Sequence, residues 1–153
     1  MTNLWPVAMI VLLFSADVRA EDVGCTSTTF RIFGANDKVC VQAFDDPELP
    51  GVSCYVSQAR TGGVSGSLGL AEDPSRFSIA CRQTGAVVVP DKFPKEASVF
   101  SDSTSLLFKN TKVIRMYDEK RRTLVYVAIS RKIIEGSPMN ALSAVPIVKW
   151  DAR

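Results

Sequence analysis

Four cysteines, Cys25, Cys40, Cys54 and Cys81, constrain this chain more than any other feature. All four follow an apolar run from Leu4 to Ala16, and the small residues Val18 and Ala20 stand where a signal peptidase reads. The run is shorter than the ~20 apolar residues that span a bilayer. Residues 1–20 therefore read as a signal peptide cleaved after Ala20, leaving no stable membrane anchor, although Met1, Thr2 and Asn3 supply no Lys or Arg. Glu21 and Asp22 stand just upstream of Cys25, where lipid attachment needs an apolar residue, and they argue against a lipoprotein. An even number of cysteines in an exported chain reads as disulfides. None of the spacings is that of a CxxC redox or zinc pair. Three connectivities are open. Pairing neighbours, Cys25–Cys40 and Cys54–Cys81, is favoured because each bridge then joins adjacent predicted strands. On the chain-entropy model the larger loop stabilises by about 3.5 kcal/mol, less any strain.

Cleavage leaves 133 residues, one domain with a sizeable core. Asp17 and Arg19 leave together, so 17 basic and 15 acidic side chains keep the net charge at +2. That balance points to no nucleic acid, which calls for a stronger basic excess. There is no histidine. Ser-His and Cys-His catalysis, His-ligated metals and the usual pH switch are thereby excluded, and neither a metal nor another cofactor is expected.

Short apolar runs at regular spacing, punctuated by turn residues, predict strands. They cover Thr26 to Phe33, Lys38 to Phe44, Val52 to Val56, Phe77 to Cys81, Ala97 to Phe100, Ser105 to Asn110, Lys112 to Tyr117, Thr123 to Ile129 and Ala144 to Trp150. The clearest period-two signal is the last long run, with Val125, Val127 and Ile129 on one face and Leu124, Tyr126 and Ala128 on the other. Met139 to Ser143 reads as one helical turn. No run has a 3.6-residue apolar period over three turns. The expectation is a mainly β domain, an antiparallel sandwich or barrel of seven to nine short strands with a glycine-rich loop or short helix; α+β is the alternative.

That glycine-rich stretch runs between Cys54 and Cys81 and holds Gly62, Gly63, Gly66 and Gly69. Glycine allows backbone N–H groups to approach an anion, but GxGxxG, Gly-Lys-Ser/Thr and a βαβ context are all missing. A packed loop is the simpler reading. Arg60, Gly62, Gly63, Glu72 and Asp73 are the residues expected to bind a ligand or partner, if any do. The carboxylates Asp45, Asp46 and Glu48 flank Pro47, and Glu72 and Asp73 precede Pro74. A carboxylate pair can cleave glycosides, yet solvated turns are the plainer explanation. The calcium-loop spacing is absent, and so is Ser-x-x-Lys for the nearby serines. Lys109, Lys112, Arg115, Lys120, Arg121, Arg122, Arg131 and Lys132 crowd the predicted long hairpin and read as a solvated tip.

The residues Phe44, Asp45, Asp46 and Pro47, then Ser53 to Ser57, Ala59 to Gly63, Leu68 to Asp73 and Ile79 to Cys81 closely resemble the CreA family of bacterial periplasmic proteins. Ser105 to Lys109, Arg115 to Asp118, Glu135 to Pro138 and Asn140 to Pro146 extend the resemblance over nearly the whole mature chain. It implies a periplasmic address and a biochemical function not assigned in the family, whose name comes from linkage to a catabolite-regulation locus. It supports Cys54 and Cys81 as the family's disulfide pair, while Cys25 and Cys40 depart from the pattern. No catalytic residues carry over. The reading is of a periplasmic, non-enzymatic binding or accessory domain with a protein or small-molecule partner, linked to envelope or catabolite-related signalling. The alternative is a hydrolase of envelope glycans using carboxylates such as Asp46 and Glu72.

Overall fold

The computed structural model describes residues 20–61, 77–100, 111–131, 136 and 138–151. Eight strands form two antiparallel four-stranded sheets, each in sequence order. The first contains β1 (Glu21–Ser27), β2 (Lys38–Asp45), β3 (Val52–Arg60) and β4 (Phe77–Gln83). The second contains β5 (Glu96–Phe100), β6 (Thr111–Asp118), β7 (Thr123–Ser130) and β8 (Asn140–Pro146). The expected mainly β architecture holds, with no helix among the described residues. The glycine-rich stretch, the strand expected over 105–110 and most of the leader lie outside those residues.

Alternation decides which side chains enter the core, since successive residues of a strand face opposite sides. Phe44, Val52, Cys54, Val56 and Ile79 from the first sheet meet Phe100, Val113, Leu124, Tyr126, Ala128 and Val145 from the second. The Phe44 and Phe100 rings stack at 4.7 Å between centroids, tying sheet to sheet. One margin is sewn by polar contacts. The Cys81 N–H donates to Ser143 Oγ at 2.8 Å, and the Gln83 side chain brackets the Val148 backbone at 3.0 and 3.1 Å.

Both disulfides join residues directly opposite in register: Cys25 with Cys40 between β1 and β2, Cys54 with Cys81 between β3 and β4. The favoured pairing therefore holds. The two bridges differ in setting, because Cys54 is fully buried whereas every residue of β1 is exposed.

Two local readings change. Pairing of β1 with β2 stops at Ser27 and Lys38, so Thr28 to Phe33 belong to a loop, closed by the Thr28 N–H bonding to Asp37 O at 2.8 Å. The residues expected to make a helical turn, Met139 to Ser143, instead enter β8 from Asn140 onward. A single helical turn fixes several dihedrals for one hydrogen bond, while pairing with the open edge of β7 satisfies the backbone along seven residues.

Candidate functional site

The loop between β2 and β3 fixes one end of the molecule. Asp46 turns its carboxylate back on that loop, and Oδ1 accepts the N–H groups of Glu48 at 2.9 Å and Leu49 at 3.1 Å. This is the local turn that Asp side chains favour. Leu49 then enters the core at 1% exposure. Gly51 lets another segment come close. Its carbonyl accepts the N–H groups of Thr84 at 2.8 Å and Gly85 at 3.2 Å. A Cβ at Gly51 would stand 2.5 Å from the Ala86 carbonyl oxygen, so any side chain there displaces backbone. The run that follows, Val87 to Pro90, is thereby anchored to the β2–β3 loop.

Asp46 and Arg115 form the centre of the site, and both side chains have 0% exposure. Arg115 Nη1 donates to Asp46 Oδ1 at 2.7 Å and Oδ2 at 2.9 Å, and Nη2 donates to Glu48 Oε2. The Tyr126 hydroxyl donates to Asp46 Oδ2 at 2.7 Å. The guanidinium carbon lies 4.2 Å from the centroid of the Phe93 ring, in cation–π range. Phe93 in turn meets Tyr117 edge to face at 5.8 Å. Arg115 Nε has no hydrogen-bond partner among the described residues. Burial, the negative Asp46 and the hydrogen bond given to it all hold the Tyr126 phenol well above its ordinary pKa, with Arg115 pulling partly the other way.

Phe93 and Tyr117 are half-buried, and their outer sides face an open groove of about 670 Å³. Val88 forms part of its wall, Lys95 and Arg122 bring positive charge, and Asp91 and Glu119 bring negative charge. Arg122 sits at φ 49°, in the left-handed region, the only described residue other than glycine with positive φ. Such strain in a non-glycine residue concentrates at functional sites. The turn before it is braced by Asp118, which Arg121 engages at 2.7 Å; that contact lowers the Asp118 pKa.

Several sequence expectations are redistributed. Asp46 is no solvated turn residue, because it is sealed against Arg115 and Tyr126. Arg115 leaves the group of solvated basic residues for the core, while Lys120 and Arg122 remain exposed at the β6–β7 turn. Arg60 ends β3, half-buried and opposite Lys38 in register. Gly62, Gly63, Glu72 and Asp73 lie outside the described residues, as do Lys109 and Lys132. Sequence reasoning missed Phe93, Tyr117 and Arg115 as a unit. The available signal was phase: in β6, Arg115 stands two residues from both Val113 and Tyr117 and shares their inward face.

A histidine-free β sandwich stapled by two cross-strand disulfides is a class of small domain suited to an oxidising, extracellular or periplasmic setting. No helix among the described residues is long and apolar enough to cross a membrane. The family model described as CreA protein matches residues 23–150. Protein CreA of Escherichia coli strain K12 is 43% identical over 148 residues, covering 94% of each chain, and that of Escherichia coli O157:H7 is equally similar. The chain belongs to the CreA family. No solved structure matches it.

Proposed function

We propose that this protein is an exported, periplasmic binding domain that takes a peptide or protein segment in the groove over Phe93 and Tyr117. The observation that carries the reading is the construction of that floor: two aromatic rings braced from behind by the buried Arg115–Asp46 pair. Ordering a charged pair in the interior holds the rings in one arrangement before any partner arrives, and preorganisation of this kind strengthens binding. Charges of both signs around apolar and aromatic surface suit a polypeptide better than a highly charged polymer. The leader at residues 1–20, cleaved after Ala20, and a place in envelope or catabolite-related signalling belong to the same proposal.

The hydrolase alternative loses one of its two named carboxylates, since Asp46 has 0% side-chain exposure and all its acceptor positions face protein donors. Two groove variants test the binding reading. Phe93→Ala removes the floor and Arg122→Glu reverses a rim charge. Both are expected to abolish a discrete partner crosslinked to the wild type in intact cells, while the exposed Lys120→Glu leaves it. Retention of that partner by both groove variants would refute the reading.

A further inference from the structure

Of the four sheet edges, three are closed or irregular. β4 and β8 are sewn together through Cys81, Ser143, Gln83 and Val148. β1 is interrupted by a bulge between Asp22 and Gly24. The fourth edge is β5, and its first part is regular: Glu96, Ala97 and Ser98 stand opposite Met116, Arg115 and Ile114, and the bulge comes only after Ser98. One residue before β5, Lys95 O accepts the Tyr117 N–H at 3.0 Å, which fixes the phase of the ladder. In an antiparallel pair, alternate residues turn their backbone groups toward the partner strand. Lys95 and Ala97 therefore turn theirs to β6, while Glu96 and Ser98 turn their N–H and C=O groups away from it. Among the described residues, no strand pairs with that side of β5. Pro94 has no N–H and ends the outward row on one side; the bulge ends it on the other.

This row opens beside the groove. Lys95 is exposed and lines the groove together with Phe93 and Tyr117. Residues directly opposite in a sheet share a face, so a strand laid on β5 turns the side chain next to Lys95 to the side where Tyr117 meets the groove. We propose, resting on the groove as the binding site, that the partner is an extended segment of another polypeptide, added antiparallel to β5 as a fifth strand. Its backbone exchanges hydrogen bonds with Glu96 and Ser98. Its residue next to Lys95 sends an apolar or aromatic side chain toward the Phe93 ring. A row of outward donors and acceptors at strand spacing is complemented by another extended backbone, and a pocket for alternate side chains selects among such strands. A second copy of this chain does not supply the side chain. The self-pairing that uses both Glu96 and Ser98 sets Val99 next to Lys95, and Val99 is 3% exposed in its own core. The groove would stay empty.

Heptapeptides selected from a randomised phage library on the purified, oxidised protein, then labelled with a fluorophore, are the probe, and anisotropy reads their binding. Phe93→Ala is expected to weaken the selected peptides roughly tenfold or more. Ser98→Pro removes one outward N–H and none that bonds to β6. It should weaken them by roughly tenfold while leaving the melting curve in place, since edge strands accept proline. N-methylation along the peptide needs no variant of the protein. Two amides two residues apart should each cost roughly tenfold, and the amide between them should cost little. Binding that needs Phe93 but tolerates Ser98→Pro and shows no such alternation overturns strand addition and leaves the groove reading standing. Peptides indifferent to Phe93, or no selected peptide at all, overturn both. Self-association of the protein that is lost on Ser98→Pro also overturns the proposal, because the edge then belongs to a second copy.

Discussion

Arg115→Met severs the buried pair while keeping the length of the side chain. In the variant, Asp46 keeps the Tyr126 hydroxyl and two backbone donors but loses both contacts from Nη1. The carboxylate stays in a site with 0% side-chain exposure. Removing one partner of a fully buried ion pair costs about 3–5 kcal/mol, a large share of the ~5–15 kcal/mol that holds a domain together. At roughly 3–5 °C per kcal/mol for a domain of this length, the melting temperature should fall by about 10–20 °C. Urea unfolding without reductant, followed by far-ultraviolet circular dichroism and Trp150 fluorescence, measures the loss. Asp46→Asn should also destabilise, and the double variant should cost less than the sum by about 2–3 kcal/mol, because it leaves no unpaired charge between the two sites. Additivity within about 0.5 kcal/mol would refute the claim that the two charges hold each other in the interior.

Tyr126→Phe removes one donor to a charged acceptor and should cost about 1.5–3 kcal/mol by the same unfolding assay. The raised phenol pKa contributes stability that is present below pH ~10 and lost as pH rises above it, because the unfolded chain releases that proton first. At pH 11 the folded protein should therefore show less phenolate absorbance than the urea-unfolded chain, and Tyr126→Phe should shrink that gap by about one phenol per chain. Cys54→Ala with Cys81→Ala should lower global stability by about 3–4 kcal/mol. Cys25→Ala with Cys40→Ala should chiefly speed hydrogen exchange in the exposed β1 and move the global midpoint less. Arg122→Gly should raise stability by about 0.5–1 kcal/mol, since glycine adopts the left-handed region without the Cβ clash; calorimetry checks the sign.

Much of the fold was legible because strand signals are local. The alternation of Val125, Val127 and Ile129 with Leu124, Tyr126 and Ala128 named β7, and apolar runs bounded by turn residues placed β2, β4 and β6. β7 is apolar on both faces, with Val125, Val127 and Ile129 half-buried on the side away from the core. The site was less legible because its charges meet across 69 residues of sequence. Asp46 beside Pro47 looks like any turn carboxylate until a cation from β6 arrives on it. Arg115, counted among neighbouring basic residues, looked solvated, although its phase with Val113 and Tyr117 placed it inward. The helical turn expected near Met139 failed for a similar reason. The edge of β7 offered more backbone pairing than local propensity could.

Site-specific photocrosslinking in intact cells tests the binding role most directly. A photoreactive side chain at Val88, 80% exposed on the groove wall, should give a discrete adduct, and the same group at Ser78, exposed on the outer face of the first sheet, should give none. The adduct should vanish when Phe93→Ala is added. Equal adducts at Val88 and Ser78, or an adduct at Val88 that persists without the Phe93 ring, would contradict a partner held in this groove.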